Sequence, residues 1–320
     1  MSNAYCTLLF NDEYLPGALV LGQSLWTHDP DTLRVVLVTD QVSAAARTKL
    51  GKLFHQVRLV DTVSAANSAQ IQLLGRPGLL SALTKLNVWA MTEFKRIVFL
   101  DADTLPLVSL ANLFDELPLG KQIAAAPDIG WPDIFNSGVF VTEPSSHVHQ
   151  QLLSRASGGP SFDGSDQGLL NEFFTEWHRL SFTYNVTASA SYQYRPAYQH
   201  FKSNIKVYHF IGATKPWHGT PHDEMTTAWH NVRSQIAGLV TELAPKPYEG
   251  AGPIVDPTKL IHPSPHRWDA TQFEPPVESA PEASELDEEE RLSTEFRYPQ
   301  YGPSVVQFPW EGKSKPTRQF

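Results

Sequence analysis

Two aspartates separated by one residue, Asp101 and Asp103, directly follow the β-prone run RIVFL. Residues i and i+2 of an extended chain point the same way, so both carboxylates leave the end of this strand together. Two such carboxylates are costly to bury without a partner. A hard divalent cation with oxygen ligands, Mg²⁺ or Mn²⁺, would pair them and could bridge a diphosphate. Two solvated turn aspartates are the alternative, and the triplet alone leaves both interpretations open.

Two classes of enzyme use such a triplet. Phosphatases of the haloacid-dehalogenase type place it after their first strand and follow it with Thr or Val at the fifth position. Here the fifth residue is Leu105 and the triplet begins only at residue 101. Nucleotide-sugar glycosyltransferases place it after a central strand, behind a nucleotide-binding half, and this arrangement fits the sequence better.

Strand and helix patterns alternate along the first 250 residues and indicate which elements would position the triplet. Alternation of this kind predicts an α/β fold with a mostly parallel central sheet, in which ligands bind at the carboxyl ends of the strands. Strands are predicted by their apolar, β-branched runs at 4–10, 34–39, 57–60, 96–100, 123–126, 138–142 and 205–210. Helices are predicted from Pro16 onward and at 43–54, 80–94, 145–155 and 166–176.

Six motifs then stand in a recognisable order and spacing. They are NDEYLPGALVLGQSL, LTKLNVW, FLDADTL, PDIGWPDIFNSGVFV, FDGSDQGLLN and HFIGATKPW. Through them, residues 4–218 resemble the glycogenin family of self-glucosylating enzymes, within glycosyltransferase family 8, and the Pro- and acid-rich tail resembles that of fungal members. The resemblance implies a Rossmann-like GT-A fold, UDP-glucose as donor, Mn²⁺ (or Mg²⁺) as cofactor and retention of the anomeric configuration.

The family's functional residues carry over onto the matching positions. Asp101, Asp103 and His209 correspond to metal ligands. Asp166, Lys215 and Asp163 correspond to catalytic residues, with Lys215 facing the charge that develops on the departing diphosphate. The remaining donor-binding positions implied by the resemblance are Leu8, Asn11, Tyr14, Arg76, Lys85, Ala102, Asn136, Ser137, Gln167 and Gly212.

Some of these positions also have ordinary structural explanations. The pattern around Asn136 and Ser137 predicts a sharp turn before a strand. Asp163 and Asp166 are explained equally well as acids stabilised by the dipole at a helix N-terminus. Phe10 replaces a small hydroxyl residue of the family, which puts one nucleoside contact in doubt. Retention can arise by two displacements through a carboxylate or by attack on the same face, and the sequence does not decide between them.

The acceptor implied by the resemblance is a tyrosine of the chain itself. Tyr192 matches the glucosylated tyrosine, with Tyr194 as the alternative, and an extended segment would direct both side chains to one side. After the first glucose, α-1,4 additions would build a primer for glycogen synthesis. Loop tyrosines that only pack against the protein are the structural alternative. Related family 8 activities, such as galactosyl transfer to inositol, are the alternative within enzymes.

Composition excludes several other functions. The chain has 320 residues with 34 acidic and 25 basic side chains, a net charge of −9, so a general nucleic-acid-binding role is not expected. Its one cysteine, Cys6, allows no internal disulfide. Long apolar runs and a basic, apolar leader are missing from the sequence, which predicts a cytoplasmic protein without a membrane span.

The composition changes near residue 250, which divides the chain into a catalytic domain at 1–250 and a tail at 251–320. The tail holds 11 of the 25 prolines and 12 acidic against 7 basic residues, a composition typical of disorder. Two aromatic islands, HRWDATQF and VVQFPWE, are candidate docking motifs, for example for glycogen synthase. The resemblance to the family implies a homodimer. The alternative to an enzymatic function is that the protein is a primer scaffold for glycogen synthase with little activity of its own.

Overall fold

The computed structural model of the chain describes residues 1–63, 77–159 and 161–240. Arg76 and the whole predicted tail, with its two aromatic islands, lie outside the described residues.

A seven-stranded sheet forms the centre of the protein. Its strands are β1 (Ser2–Leu9), β2 (Leu33–Val38), β3 (Gln56–Leu59), β4 (Phe94–Leu100), β6 (Ile123–Pro127), β7 (Phe135–Thr142) and β8 (His178–Arg179). Their order in the sheet is β3-β2-β1-β4-β7-β6-β8, and every pairing except the two made by β7 is parallel. The mostly parallel central sheet predicted from the sequence is therefore confirmed.

A second, three-stranded sheet lies where the central strands end. β5 (Thr104–Pro106) begins just after the Asp101–Asp103 triplet and pairs antiparallel with β10 (Val207–His209), which pairs in parallel with β9 (Val186–Thr187). In this register His209 lies opposite Thr104. The small sheet thus brings a residue from late in the chain beside the triplet.

Three of the α-helices in the described part of the chain begin at a residue whose side chain caps them. Ser43 and Ser145 accept hydrogen bonds from the third residues of their helices, and Asp223 forms a capping box with Thr226. The helices are α1 (Leu15–His28), α2 (Ala44–Leu50), α3 (Ser146–Ser157), α4 (Asp166–Phe173), α5 (Ser189–Gln193), α6 (Arg195–Phe201), α7 (Glu224–Gln235) and α8 (Ala237–Val240). None of the helices in the described parts of the chain has the length and apolarity that crossing a bilayer requires.

Three local predictions were wrong. The expected α-helix at 80–94 is a 3₁₀ helix at Pro77–Ala90, and Phe94 already belongs to β4. Asn136 and Ser137 are not in a turn but inside β7, which starts at Phe135 and runs antiparallel to its neighbours. The strand expected at 205–210 is shorter, Val207–His209. It belongs to the small sheet rather than to the central one, because it pairs with β5.

Candidate active site

The three candidate metal ligands come together at the junction of the two sheets. Asp101 is fixed at the end of β4 because its N–H donates to the carbonyl of Gly138 in β7 (2.8 Å). Asp103 immediately precedes β5, and its carbonyl accepts from the N–H of Phe210 (2.9 Å), the residue after His209. One ligand atom from each of Asp101, Asp103 and His209 lies within 4.8 Å of the others. Two carboxylates and an imidazole at this separation fit a divalent cation.

Lys215 neutralises one side of this cluster. Its Nζ donates to Asp103 Oδ2 (2.5 Å) and to the carbonyl of Phe210 (2.8 Å), and the lysine is buried. The other Asp103 oxygen, Oδ1, is 3.2 Å from His209 Nε2. Burial alone would raise the pKa of Asp103, but His209 and Lys215 outweigh it and hold that pKa well below its ordinary value. Asp103 is therefore ionised at neutral pH.

A second buried lysine connects the triplet to the predicted sugar-binding acids. Lys85 Nζ lies 3.0 Å from Asp101 Oδ1 and 2.5 Å from Asp166 Oδ2, and it also donates to the carbonyl of Ser137 (3.1 Å). Burial opposes ionisation of Asp166, but Lys85 and the hydroxyls of Ser137 and Ser165 lower the pKa of this carboxyl below its usual range. Lys85 is thus a buried counter-ion rather than a solvated helix residue.

Two further predicted sugar-binding residues are Asp163, in the loop before α4, and Gln167, in the first turn of α4. Asp163 Oδ2 accepts from the N–H of Gly168 (2.9 Å) and Oδ1 from that of Ser165 (2.8 Å), so this carboxylate caps the first turn of α4. Burial raises the pKa of Asp163, although these hydrogen bonds oppose the shift. Gln167 accepts from the N–H of Ser137 (3.3 Å) and donates to Asp128 Oδ2 (2.6 Å). The structure therefore brings Gln167 and Ser137 together and adds Asp128.

The predicted nucleoside-binding residues lie around the end of β1. Asn11 accepts from the N–H of Glu13 (3.1 Å) and caps a 3₁₀ turn, while Leu8 is half-buried on β1. The Tyr14 ring contacts the edge of Trp217, with ring centroids 5.3 Å apart, and Lys215 Nζ lies 5.4 Å from the Tyr14 centroid. Tyr14 thus adjoins the lysine predicted to face the diphosphate.

Two small residues, Ala102 and Gly212, are also predicted to contact the donor. Ala102 is buried between the two acids, and a Cβ added at Gly17 would lie close to its carbonyl oxygen. Gly212 has a φ of 102°, a backbone conformation that favours glycine.

Both candidate acceptor tyrosines are exposed, with 72% of Tyr192 and 69% of Tyr194 accessible to solvent. The prediction that they share an extended segment was wrong. Tyr192 lies in α5 and Tyr194 separates α5 from α6, so helical turns rather than strand alternation set their directions. The segment is nevertheless attached to the site, because β9 just before it pairs with the strand that carries His209.

One buried residue was missed in the sequence. Asn185 donates to Asn136 Oδ1 (2.7 Å), and its own Oδ1 lies 2.9 Å from His209 Nδ1. These partners are 49 and 24 residues away along the chain, so no local spacing could have revealed them.

Gly138 is closely packed against the candidate metal ligand His209, so a larger residue there should affect both stability and metal binding. A Cβ at this position would lie 2.7 Å from His209 Nδ1 and 2.9 Å from Asn136 Oδ1. Gly138→Ala should therefore displace the His209 ring and lower the free energy of unfolding by about 1–3 kcal/mol, as overpacking does. Chemical denaturation measures the loss, and titration with Mn²⁺ should show weaker binding.

Gly51→Ala is the matched control. A Cβ there would meet only backbone oxygens at 3.5 and 3.6 Å, which is ordinary contact, and Gly51 is an exposed residue at the end of α2. The free energy of unfolding of this variant should stay close to that of the wild type. A Gly138→Ala protein with unchanged denaturation midpoint and unchanged Mn²⁺ binding would contradict the packing described here.

Known proteins resemble this chain in sequence and in fold. The family model for glycosyl transferase family 8 matches residues 5–220. The chain belongs to glycosyltransferase family 8. Among relatives of this family 8 protein, Glycogenin-1 of Oryctolagus cuniculus is 47% identical over 72% of the chain and 69% of its own length. Glycogenin-2 of Homo sapiens is 48% identical over 67% of the chain and 43% of its length. Glycogenin of Neurospora crassa is 44% identical over 72% of the chain and 34% of its length.

Solved structures resemble the family 8 protein in fold. The bifunctional glycosyltransferase WbbM superposes with a TM-score of 0.58 at 18% identity, over 73% of this chain and 50% of that one. The galactosyltransferase LgtC, solved with donor and acceptor sugar analogues, gives 0.53 at 19% identity, over 73% and 95%. The expected GT-A fold is confirmed. The family 8 protein spans less than half of the human Glycogenin-2 and about a third of the Neurospora protein.

Proposed function

We propose that the protein is a glycogenin-like glucosyltransferase, which moves glucose from UDP-glucose to its own Tyr192 and then extends an α-1,4-glucan primer. The observation that supports this proposal is that two acids, a histidine and two buried lysines lie close together where the central strands end. The chain that carries them is 47% identical to a glycogenin. That edge of an α/β sheet is where such folds bind ligands.

Asp101, Asp103 and His209 are proposed to hold Mn²⁺, since their oxygen and imidazole donors suit this ion. When bound, the ion supplies positive charge to the diphosphate of the donor. Lys215 is proposed to share that task, because its Nζ contacts Asp103, one of the proposed metal ligands. Charge that grows on the departing diphosphate is stabilised by such a fixed cation more in the transition state than in the ground state.

The sugar is proposed to lie against Asp166, Asp163, Asn136 and Gln167. Both oxygens of Asp166 are already engaged: Oδ2 by Lys85 and Ser137, and Oδ1 by Ser165. A carboxylate stabilised in this way is a weak nucleophile, so its pattern of contacts favours a fixed negative charge near the anomeric carbon. Same-face attack is then the course that we propose for retention.

The first transfer joins the phenol oxygen of Tyr192 to C1 of glucose and breaks the bond between C1 and the β-phosphate oxygen. The phenol proton passes to the departing diphosphate oxygen, and UDP leaves. Tyr192 is free for this reaction because it is largely exposed on the segment that follows β9.

The test is intact-mass spectrometry after incubation with UDP-glucose and Mn²⁺. Wild type should gain successive hexose units, whereas Tyr192→Phe should gain none because it lacks the nucleophilic hydroxyl. Tyr194→Phe is the matched control and should behave as wild type. If Tyr192→Phe gains hexose as readily as wild type, Tyr192 is not the acceptor. A parallel incubation with UDP-galactose would reveal a different donor preference.

Homodimerisation, a cytoplasmic location and recruitment of glycogen synthase by the tail stay predictions. Size-exclusion chromatography tests the first of them. Deletion of residues 305–320 tests the third, because loss of the VVQFPWE island should abolish capture of the synthase.

A further inference from the structure

A series of linked hydrogen bonds, the first from a backbone N–H and the others between side chains, connects the proposed sugar pocket to the proposed metal ligand His209. It begins at the N–H of Gly138, which donates to Asn136 Oδ1 (2.9 Å). Asn136 Oδ1 also faces Asn185 Nδ2 (2.7 Å), and Asn185 Oδ1 faces His209 Nδ1 (2.9 Å). Asn136, Asn185 and His209 are each buried.

The direction of every hydrogen bond in this series follows from its first member. A backbone N–H can only donate, so the Asn136 atom that it meets must be the amide oxygen. That oxygen can only accept, so Asn185 must present its NH₂ group to it. The other end of the Asn185 amide is then its oxygen, which requires a proton on His209 Nδ1.

Fixing the proton on Nδ1 decides what His209 Nε2 can do. In a neutral imidazole one nitrogen donates and the other carries a lone pair. With the proton on Nδ1, the lone pair is on Nε2, which faces Asp103 Oδ1 at 3.2 Å. A proton or a metal ion between these two atoms would satisfy both, and Nε2 is the atom through which His209 would bind a metal.

We infer that Asn185 is a positioning residue: it holds His209 in the tautomer that binds metal through Nε2 and, through the same amide, holds Asn136 in place for the sugar. This inference rests on the metal site of the proposed function. Metal-bound histidines generally donate their second N–H to an acceptor, and removal of that acceptor weakens metal binding about ten- to a hundredfold.

Two variants distinguish the hydrogen bond that Asn185 makes to His209 from the one that it makes to Asn136. Asn185→Leu keeps the size and loses both hydrogen bonds, so its affinity for Mn²⁺ should fall about ten- to a hundredfold. Asn185→Asp keeps an acceptor for His209 Nδ1 but faces Asn136 Oδ1 with a second acceptor. It should bind Mn²⁺ at least as well as wild type, while the KM for UDP-glucose rises.

The affinity for Mn²⁺ is measured by titrating the protein with Mn²⁺ alone. The electron paramagnetic resonance signal of the free ion reports how much remains unbound. Proton–nitrogen NMR spectra of histidine-labelled protein, in mildly alkaline buffer without metal, report the tautomer directly. His209 should carry its proton on Nδ1 in wild type and in Asn185→Asp. Asn112→Leu is the matched control, because it removes only the hydrogen bond to Tyr184, the residue before Asn185.

Three results would overturn the inference. They are wild-type Mn²⁺ affinity in Asn185→Leu, an equal loss of affinity in Asn185→Asp, and a wild-type His209 protonated on Nε2 but not on Nδ1. The last needs no variant, so it decides the question even if Asn185→Leu does not fold. Failure of the proposed function is distinguishable: a wild type that binds no Mn²⁺ refutes the metal site as well, whereas missing hexose transfer with intact Mn²⁺ binding leaves the role of Asn185 standing.

Discussion

Asp103→Asn is expected to lower the rate of glucosyl transfer by about a hundred- to a thousandfold, the usual cost of losing a group that stabilises transition-state charge. The substitution keeps the shape of the side chain but removes its charge. Asp103 is the only described acid within 4 Å of both His209 Nε2 (3.2 Å) and Lys215 Nζ (2.5 Å), so a neutral amide there weakens the metal site and leaves Lys215 without its counter-ion. Hexose gain over time, at several Mn²⁺ concentrations, measures the effect.

Asp40→Asn is the matched control, because Asp40 also follows a parallel strand, β2, but is exposed. Its rate should equal that of wild type. Loss of the Lys215 counter-ion could also unfold the protein, so the double variant Asp103→Asn, Lys215→Met is included: it removes both members of the buried pair and should regain stability without regaining activity. Full metal-dependent turnover in Asp103→Asn, and in the variant that also carries Asp101→Asn, would refute the metal site.

Lys85→Met is expected to lower the free energy of unfolding by about 3–5 kcal/mol, the range found when one partner of a buried ion pair is removed. Met has a similar length, so packing changes little. The carboxylates of Asp101 and Asp166, which both contact Lys85 Nζ in the wild type, then lose their shared counter-ion. Activity should fall in parallel, because the charge on Asp166 is no longer held in place.

The stability loss in Lys85→Met should depend on pH in a definite direction. In wild type the pKa of Asp166 is lowered, so its contribution to stability is present above the ordinary aspartate pKa and is lost as pH falls through the lowered value. Without Lys85, burial raises that pKa. The difference in unfolding free energy between the two proteins should therefore be largest at neutral pH and shrink in acid.

Lys121→Met provides the comparison for this series. Lys121 also pairs with a carboxylate, that of Glu176 (2.8 Å), but the pair lies at the surface and solvent screens it. Its removal should leave both stability and its pH dependence unchanged. A Lys85→Met protein that unfolds at the same denaturant concentration as Lys121→Met would contradict the role given to the buried lysine.

The sequence was sufficient for the central sheet and for the choice of candidate site residues. The Asp101–Asp103 triplet was found from its residue types and its position after RIVFL, whereas His209 and Lys215 were assigned through the family resemblance. The alternation of strands and helices also depends on local patterns, and the parallel core β3-β2-β1-β4 follows it. Local errors occurred where a turn-like sequence lies inside a strand, as at Asn136 and Ser137, which are part of β7 between its paired residues Phe135 and Val139.

What the sequence determined by itself was which groups are available: a pair of acids at a strand end, two lysines, a histidine and a candidate acceptor tyrosine. Only the tertiary structure decided how they are paired. Lys85 meets Asp166 across 81 residues, and Asn185 meets Asn136 across 49. The physical reason is that hydrogen bonds and ion pairs act over a few ångströms in space, whereas sequence patterns report only neighbours along the chain.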